Sequence, residues 1–574
     1  MLRAFNQHHI RFTQSLDGVW DFVTAEDAKL NKNGLPKSYN RKAVVPVAWE
    51  SMPGLETYRG QAYFRRTIEA VPGLSTRLVF GGISHTADVY VDGTLFEHHY
   101  DAFTPFDMII PASDKTSYEI VVEVDNSFGD HSALHIENDY YTYGGITRPV
   151  EQQFIDTLYI SDLQITTAAK GKSWLLNVAI TVTNLSDESV DALLQYELDG
   201  QVVPLGEIKL RAGQSKTVKH TQTCKDVKTW DDANPNLYTI TAQLIDVYGT
   251  MGDDLSERFG FREVKVKGKK LLLNGKPLHL FGFNRHEDHP LFGNALPLEA
   301  IAKDLHLLQD TGANFLRTCH YPNDMRVLDL CDELGIFVWE EHHARSVSFD
   351  HPAYKQQIDG STQEMVQWHF NHPSIIMWGC LNECQSYTKS GAKEHGRILT
   401  MLKKLDSSRP VTYASMFHEK DLAYKYADIV SWNRYDNWYG NNDPDAGVRK
   451  MIKWLNASEK TGGKGKPIIL SEFGAGAIYG YRHPKCERWT EEYQVVALEQ
   501  CLTAYLNNPD IIGTAIWQFC DVRTTQFGID QCGPWKTRPR CNNNKGIVDE
   551  HRRPKLAYDK VKELFTKARK TPRK

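Results

Sequence analysis

The chain has 574 residues, 41% of them apolar and 24% charged, with a net charge of −5 and a pI near 6.5. Its length predicts three or four domains, and its composition is that of an ordinary soluble globular protein. No basic stripe dominates, no apolar window reaches membrane-spanning length, and the N-terminal "MLRAFNQHHIRF" lacks the apolar core of a signal peptide. The expectation is therefore a cytoplasmic protein with no nucleic-acid and no membrane partner.

Residues 1–163 read as all-β. "LDGVWDFV", "AYFRRTIEAV", "TRLVFGGI", "ADVYVDGTLF" and "YEIVVEVDN" alternate apolar and polar residues, and Asp92-Gly93 is a strong hairpin signal. A jelly-roll β-sandwich fits them. Residues 164–264 continue with short strands about ten residues apart, the spacing of an immunoglobulin-like β-sandwich without the Cys–Trp–Cys framework.

From residue 265 to 574 the rhythm becomes strand, helix, strand, helix. Eight candidate strands lie at 278–285, 315–321, 335–341, 375–383, 411–415, 429–435, 467–474 and 514–521. They predict a (β/α)8 TIM barrel. A doubly wound sheet is the rival, but "GAGAIYG" at 474–480 lacks the GxGxxG spacing. The tail "KARKTPRK" reads as a frayed end, and aromatic residues, at 11%, suit sugar stacking or β-rich cores equally.

Ten cysteines are scattered from Cys224 to Cys541 with no CxxC pair, which predicts free thiols. Cys532 and Cys541 are close enough in one loop to pair, but thiols are favoured there too.

The C-terminal ends of barrel strands carry the chemistry. Here they are polar in seven of eight strands: Asn284, Arg285, His286 and Glu287; His320 and Tyr321; Glu340 and Glu341; Asn382 and Glu383; Asn433 and Tyr435; Glu472; Trp517 and Asp521. A buried strand ending on a carboxylate is costly unless that group is paired or used. Glu383 and Glu472, on strands four and seven, form the pair that glycoside hydrolysis needs: one acid to protonate the leaving oxygen, one ionised to attack the anomeric carbon. Arg285 is a candidate for keeping one of them ionised; salt bridges to Arg285 and Arg317 with a purely structural role are the alternative.

On "GFNRHEDHP", "RTCHYP", "NHPSIIMWGCLNE", "NRYDNWYG", "ILSEFG" and "IWQF" the chain resembles glycoside hydrolase family 2, and within it the β-glucuronidases of gut bacteria. The resemblance covers nearly the whole chain. It implies a retaining exo-β-glucuronidase, with Glu383 as acid/base, Glu472 as nucleophile and a carboxyl separation of about 5–5.5 Å. It further implies that Asn382 binds the sugar 2-hydroxyl, that Tyr435 steadies the nucleophile, and that His320, Tyr439 and Trp517 line the sugar subsite. Asp139, in "NDYYTYGGITR", would take the distal hydroxyls. Asn543 and Lys545 match the Asn-x-Lys pair that grips the C6 carboxylate, a charge-assisted contact with no counterpart on a neutral sugar. Arg538 or Arg540 would add a second cation, with Arg540 taken as the site residue.

The chain departs from the family in placing Cys384, not proline, after the Asn–Glu pair. A short segment after strand three predicts an open mouth that admits bulky aglycones or oligosaccharide β-uronides. Arg345, in that segment, is placed to favour an axial C4 hydroxyl, so β-galacturonidase or dual activity is the nearest alternative. A β-galactosidase, a β-mannosidase and a non-catalytic carbohydrate-binding protein stand further off. "RHEDH" and His342-His343 resemble metal ligands but lack HExxH spacing, so no metal and no cofactor are expected. The resemblance implies a homo-oligomer.

Overall fold

The structure, a computed structural model, describes residues 1–245, 250–457, 459–524 and 538–570. Cys532 and residues 571–574 of the basic tail lie outside the described residues.

Two antiparallel sheets make the first sandwich. Four strands run in the order Thr13–Ser15, Val150–Ile155, Ser75–Phe80, Phe106–Ile110. Six run Arg41–Val45, Gly18–Thr24, Gln61–Glu69, Ser117–Asp125, Thr86–Val91, Thr94–Tyr100. Their inner faces bury Trp20, Phe22, Phe64, Phe80, Val89 and Val122, as the alternation in each strand requires. Asp92 and Gly93 both take positive φ, the geometry that two-residue hairpin turns demand.

The second sandwich pairs a three-stranded sheet, Leu158–Lys170, Ser173–Asn184 and Ser215–Cys224, with a four-stranded one. Leu158–Lys170 spans the expected 163/164 junction, and its ladder partner along its whole length is Ser173–Asn184 of this sandwich.

The remainder closes as an eight-stranded parallel barrel. We label its strands β1 Leu280–Arg285, β2 Phe315–Thr318, β3 Phe337–Glu341, β4 Ile375–Cys380, β5 Val411–Ser415, β6 Val430–Asn433, β7 Ile468–Phe473 and β8 Ile511–Ile516. Leu280 pairs with Gly513 to seal the ring. β8 starts three residues and ends five residues earlier than the sequence pattern suggests, because "TAIWQFCD" contains the apolar strand end together with the loop that follows it. Phe315, Phe337, Trp339, Ile376, Ile469 and Ile512 fill the barrel floor. Gly379 in β4 is required there: a Cβ would sit 1.9 Å from the Trp339 indole nitrogen.

Helices form where local signals coincide. Met325–Leu334 begins at Asp324, whose carboxylate accepts from the Arg326 N–H, and ends at Gly335 with φ 70°. Thr388 and Thr490 cap the helices Lys389–Leu405 and Glu491–Leu506 in the same way. No described helix is long and apolar enough to cross a membrane.

Among the described residues eight cysteines are free. Cys541, against expectation, is disulfide-bonded. Scatter along the chain is a poor guide to pairing, since proximity in the fold decides it.

Candidate active site

The strand ends of the barrel open into a cavity of about 530 Å³. Asp139, His320, Glu383, Tyr435, Tyr439, Glu472, Trp517 and Lys545, all expected from sequence, line it together with Arg345 and Arg538.

The hub beneath the cavity is Arg317 at the end of β2, fully buried. Its guanidinium donates to Glu472 Oε1 at 2.9 Å, to both oxygens of Glu341 at 2.8 and 3.0 Å, and to the side-chain oxygens of Asn284 and Asn382 at 2.9 Å each. Arg317, and not Arg285, is thus the counter-ion of Glu472. Arg285 turns outward from the barrel axis to Asp304, 2.9 Å away. Two more residues of "RHEDH" are tied to the first sandwich: Glu287 takes Arg148 at 2.8 Å, and Asp288 accepts from the Tyr143 hydroxyl at 2.8 Å.

Glu472 closes β7 and accepts a second hydrogen bond from the Tyr435 hydroxyl at 2.9 Å. Burial and the neighbouring charge of Glu383 push its carboxyl up to about 7, while Arg317 and Tyr435 pull it back. Glu383 sits just past β4. Its Oε1 accepts from Asn433 at 2.9 Å and its Oε2 lies 3.4 Å from Arg345. Leu381 and Glu383, on either side of Asn382, have φ of 47° and 52°, a left-handed turn that non-glycine residues adopt at a cost. The Cys384 N–H donates to the Leu381 carbonyl at 3.3 Å within this turn, a bond a proline could not make. Asn382 fixes its oxygen on Arg317 and Asn433, which leaves its amide nitrogen without a partner.

His320 lies 2.9 Å from Glu341 through Nδ1, and its ring stacks on Trp517 at 5.1 Å with an interplanar angle of 15°. The pair forms one aromatic wall.

The first sandwich contributes Asp139 to the cavity, where it meets the barrel-domain segment after β8. Asp139 is buried and ion-paired with Arg538, and it accepts from the Asn543 amide at 2.9 Å. Burial pushes its carboxyl up, but Arg538, Lys545 and Arg345 more than offset this and hold it below the ordinary range. Lys545 is 2% exposed. Its ammonium lies 3.4 Å from Asn543 Oδ1 and over the rings of Trp438 and Tyr439 at 5.6 and 5.5 Å. Among the described residues no carboxylate stands within ion-pair distance of it. Burial and the nearby Arg538 cation lower its pKa.

Arg540 requires correction. It is exposed, points away from the cavity, and pairs with Glu550 at 2.7 Å. The backbone turns between them, with a φ of 62° at Arg540, and Arg538 faces Asp139. Asp521, expected at the strand end, is instead held by Lys555 at 2.8 Å outside the cavity. Asn433 was legible only as a polar strand end, and Asn138, which accepts from Arg345, not at all. The signal for Asn138 was its place beside Asp139. Met416, His418 and Asn442, on the loops after β5 and β6, also line the cavity and carried no sequence signal.

The chain matches known proteins over its full length. Residues 264–569 match the model "Glycosyl hydrolases family 2, TIM barrel domain", and residues 158–262 match "Glycosyl hydrolases family 2". A β-glucuronidase of Streptococcus agalactiae is 28% identical, covering 97% of this chain and 96% of the relative. Among solved structures, a β-galacturonidase from Eisenbergiella tayi bound to galacturonate is 41% identical, with a TM-score of 0.91 and 99% of each chain covered. A β-D-glucuronidase of Dictyoglomus thermophilum is 28% identical, with a TM-score of 0.83 and 99% of each chain covered. The sandwich–sandwich–barrel architecture, the paired glutamates at its mouth and these matches agree: the chain belongs to glycosyl hydrolase family 2 and is a glycoside hydrolase.

Proposed function

We propose that the protein is a retaining, exo-acting β-uronidase that cleaves small-molecule or oligosaccharide β-uronides. The single observation that carries the sugar class is Lys545. A buried ammonium without a carboxylate partner costs free energy in the empty site, and a C6 carboxylate offsets that cost on binding. Asn543 joins this cation to Asp139, so one network spans the acid and hydroxyl edges of the sugar.

In the reaction, Glu383 gives its proton to the glycosidic oxygen as the bond to the anomeric carbon breaks. Glu472 attacks that carbon from the other face and forms a glycosyl ester. Glu383, now ionised, takes a proton from water, and the resulting hydroxide displaces Glu472. Arg317 and the Tyr435 hydroxyl favour the ionised form of Glu472. The part of its upward shift that comes from the charge of Glu383 disappears once Glu383 holds the proton, which separates the two roles. The unpartnered amide of Asn382 is available to the sugar 2-hydroxyl.

Glucuronides and galacturonides share the carboxylate and differ at C4. Arg345, held between Asn138 and Glu383 in the cavity wall, supports β-galacturonides as favoured substrates with β-glucuronides also cleaved. The 41% identity to a β-galacturonidase points the same way. Proton NMR of p-nitrophenyl β-galacturonide and β-glucuronide hydrolysis tests the reading. The β-anomer of the free acid should appear first; first release of the α-anomer, or turnover of neutral glycosides only, would overturn it.

A further inference from the structure

His343, the second residue of the His-His pair after β3, meets two residues from the first sandwich that lie more than 200 positions earlier. Asp101, His135 and His343 converge so that one ligand atom of each lies within 4.8 Å of the others. All three are at most 1% exposed. Asp101 Oδ1 is 3.5 Å from His135 Nε2, and the rings of His135 and His343 stand 4.1 Å apart.

The protein satisfies one atom of each group: Asp101 Oδ1 accepts from the Phe103 N–H at 3.0 Å, His135 Nε2 accepts from the Ala102 N–H at 3.2 Å, and His343 Nε2 lies 3.0 Å from the Tyr140 hydroxyl. Asp101 Oδ2, His135 Nδ1 and His343 Nδ1 have no hydrogen-bond partner. Among the described residues, the only ion-pair contact of Asp101 is with His135. A buried carboxylate with no lysine or arginine beside it, facing two imidazoles, is an expensive arrangement for folding. Its donor set, two imidazole nitrogens and one carboxylate oxygen, is the one that suits a borderline divalent transition metal.

We infer that Asp101, His135 and His343 form a structural site for a divalent transition metal ion, Zn²⁺ foremost, that staples the first sandwich to the barrel. Ligands at about 2.1 Å around a tetrahedral ion lie about 3.4 Å from one another, so the cluster closes by roughly 1 Å on binding and leaves a fourth position for water. Tyr140 lies 3.0 Å from His343 Nε2 through its hydroxyl and orients that ring from outside the set. The staple sits close to the cavity in sequence: His135 is four residues before Asp139, and His343 two before Arg345. It would brace both against each other, independently of which uronide is cleaved.

The test is direct binding. Full-length protein, refolded or incubated at length with Zn²⁺ and freed of excess, is assayed for metal by mass spectrometry, with Co²⁺ absorption as a second readout of coordination. The expected result is one ion per chain, a tetrahedral-type Co²⁺ spectrum and a raised Tm. Asp101→Asn and His135→Gln should each weaken binding at least tenfold and abolish the Tm rise. If either variant misfolds by far-UV circular dichroism, the wild-type stoichiometry and Co²⁺ spectrum decide alone. Absence of bound metal in the wild type, or stoichiometry and spectrum unchanged in folded variants, overturns the site.

Discussion

Replacing Lys545 by methionine removes the cation and keeps most of the side-chain volume. Lys545 is buried, rests on two aromatic faces and has Asn543 as its polar neighbour. Truncating one partner of a buried, hydrogen-bonded charge pair costs about 2–5 kcal/mol. Arg538 is the nearest alternative cation, but it is committed to Asp139 and cannot turn to the substrate without breaking that pair. The loss should therefore fall near the middle of the range, about 3 kcal/mol, or roughly 150-fold in kcat/KM for a uronide. A neutral sugar never uses the ammonium, so p-nitrophenyl β-galactoside turnover should hold or rise. The assay is kcat/KM for p-nitrophenyl β-glucuronide, β-galacturonide and β-galactoside on both proteins. A uronide loss under about fivefold, or a parallel fall on the neutral sugar, would refute the carboxylate-gripping role.

Three further outcomes follow from the same geometry. Arg345→Ala should lower the galacturonide-to-glucuronide ratio of kcat/KM by about tenfold, the scale of one lost polar contact; an unchanged ratio removes Arg345 from C4 recognition. Glu472→Gln should gain stability relative to the wild type as pH rises. The folded carboxyl is raised from 4.5 to about 7, so the cost of ionising it is absent below the lower value and complete above the upper. Urea unfolding should show the difference between variant and wild type growing by about 2–3 kcal/mol from pH 5 to pH 8, and a flat difference contradicts the burial argument. Arg317→Met strands two buried carboxylates and should cost about 3–5 kcal/mol in urea unfolding at pH 7; a cost under about 1 kcal/mol would mean that Arg317 is not the hub.

The barrel was legible because its strands are short apolar runs that end abruptly on polar residues. Asn382, Glu383 and Glu472 violate the pattern of a buried strand, and that violation located the cavity. β8 was displaced because apolar residues continue past its end into Trp517 and Phe519, and periodicity cannot tell a buried strand from a buried loop. Long-range pairing was the harder part. Nothing in the local sequence distinguishes Arg317 from Arg285, or Arg538 from Arg540; the direction of each side chain is fixed by which neighbour on another strand offers a carboxylate. The same holds for His343, whose spacing from other histidines excluded a local metal motif while its partners lay on another domain.

The account rests on Glu472 forming a covalent bond to the sugar. A 2-deoxy-2-fluoro-β-uronyl fluoride slows release of that adduct, and peptide mass spectrometry then identifies the residue that carries it. The prediction is a uronyl ester on the peptide containing Glu472, lost in Glu472→Gln and still formed in Glu383→Gln. An adduct on Glu383, or none at all with an inverted product, would contradict it.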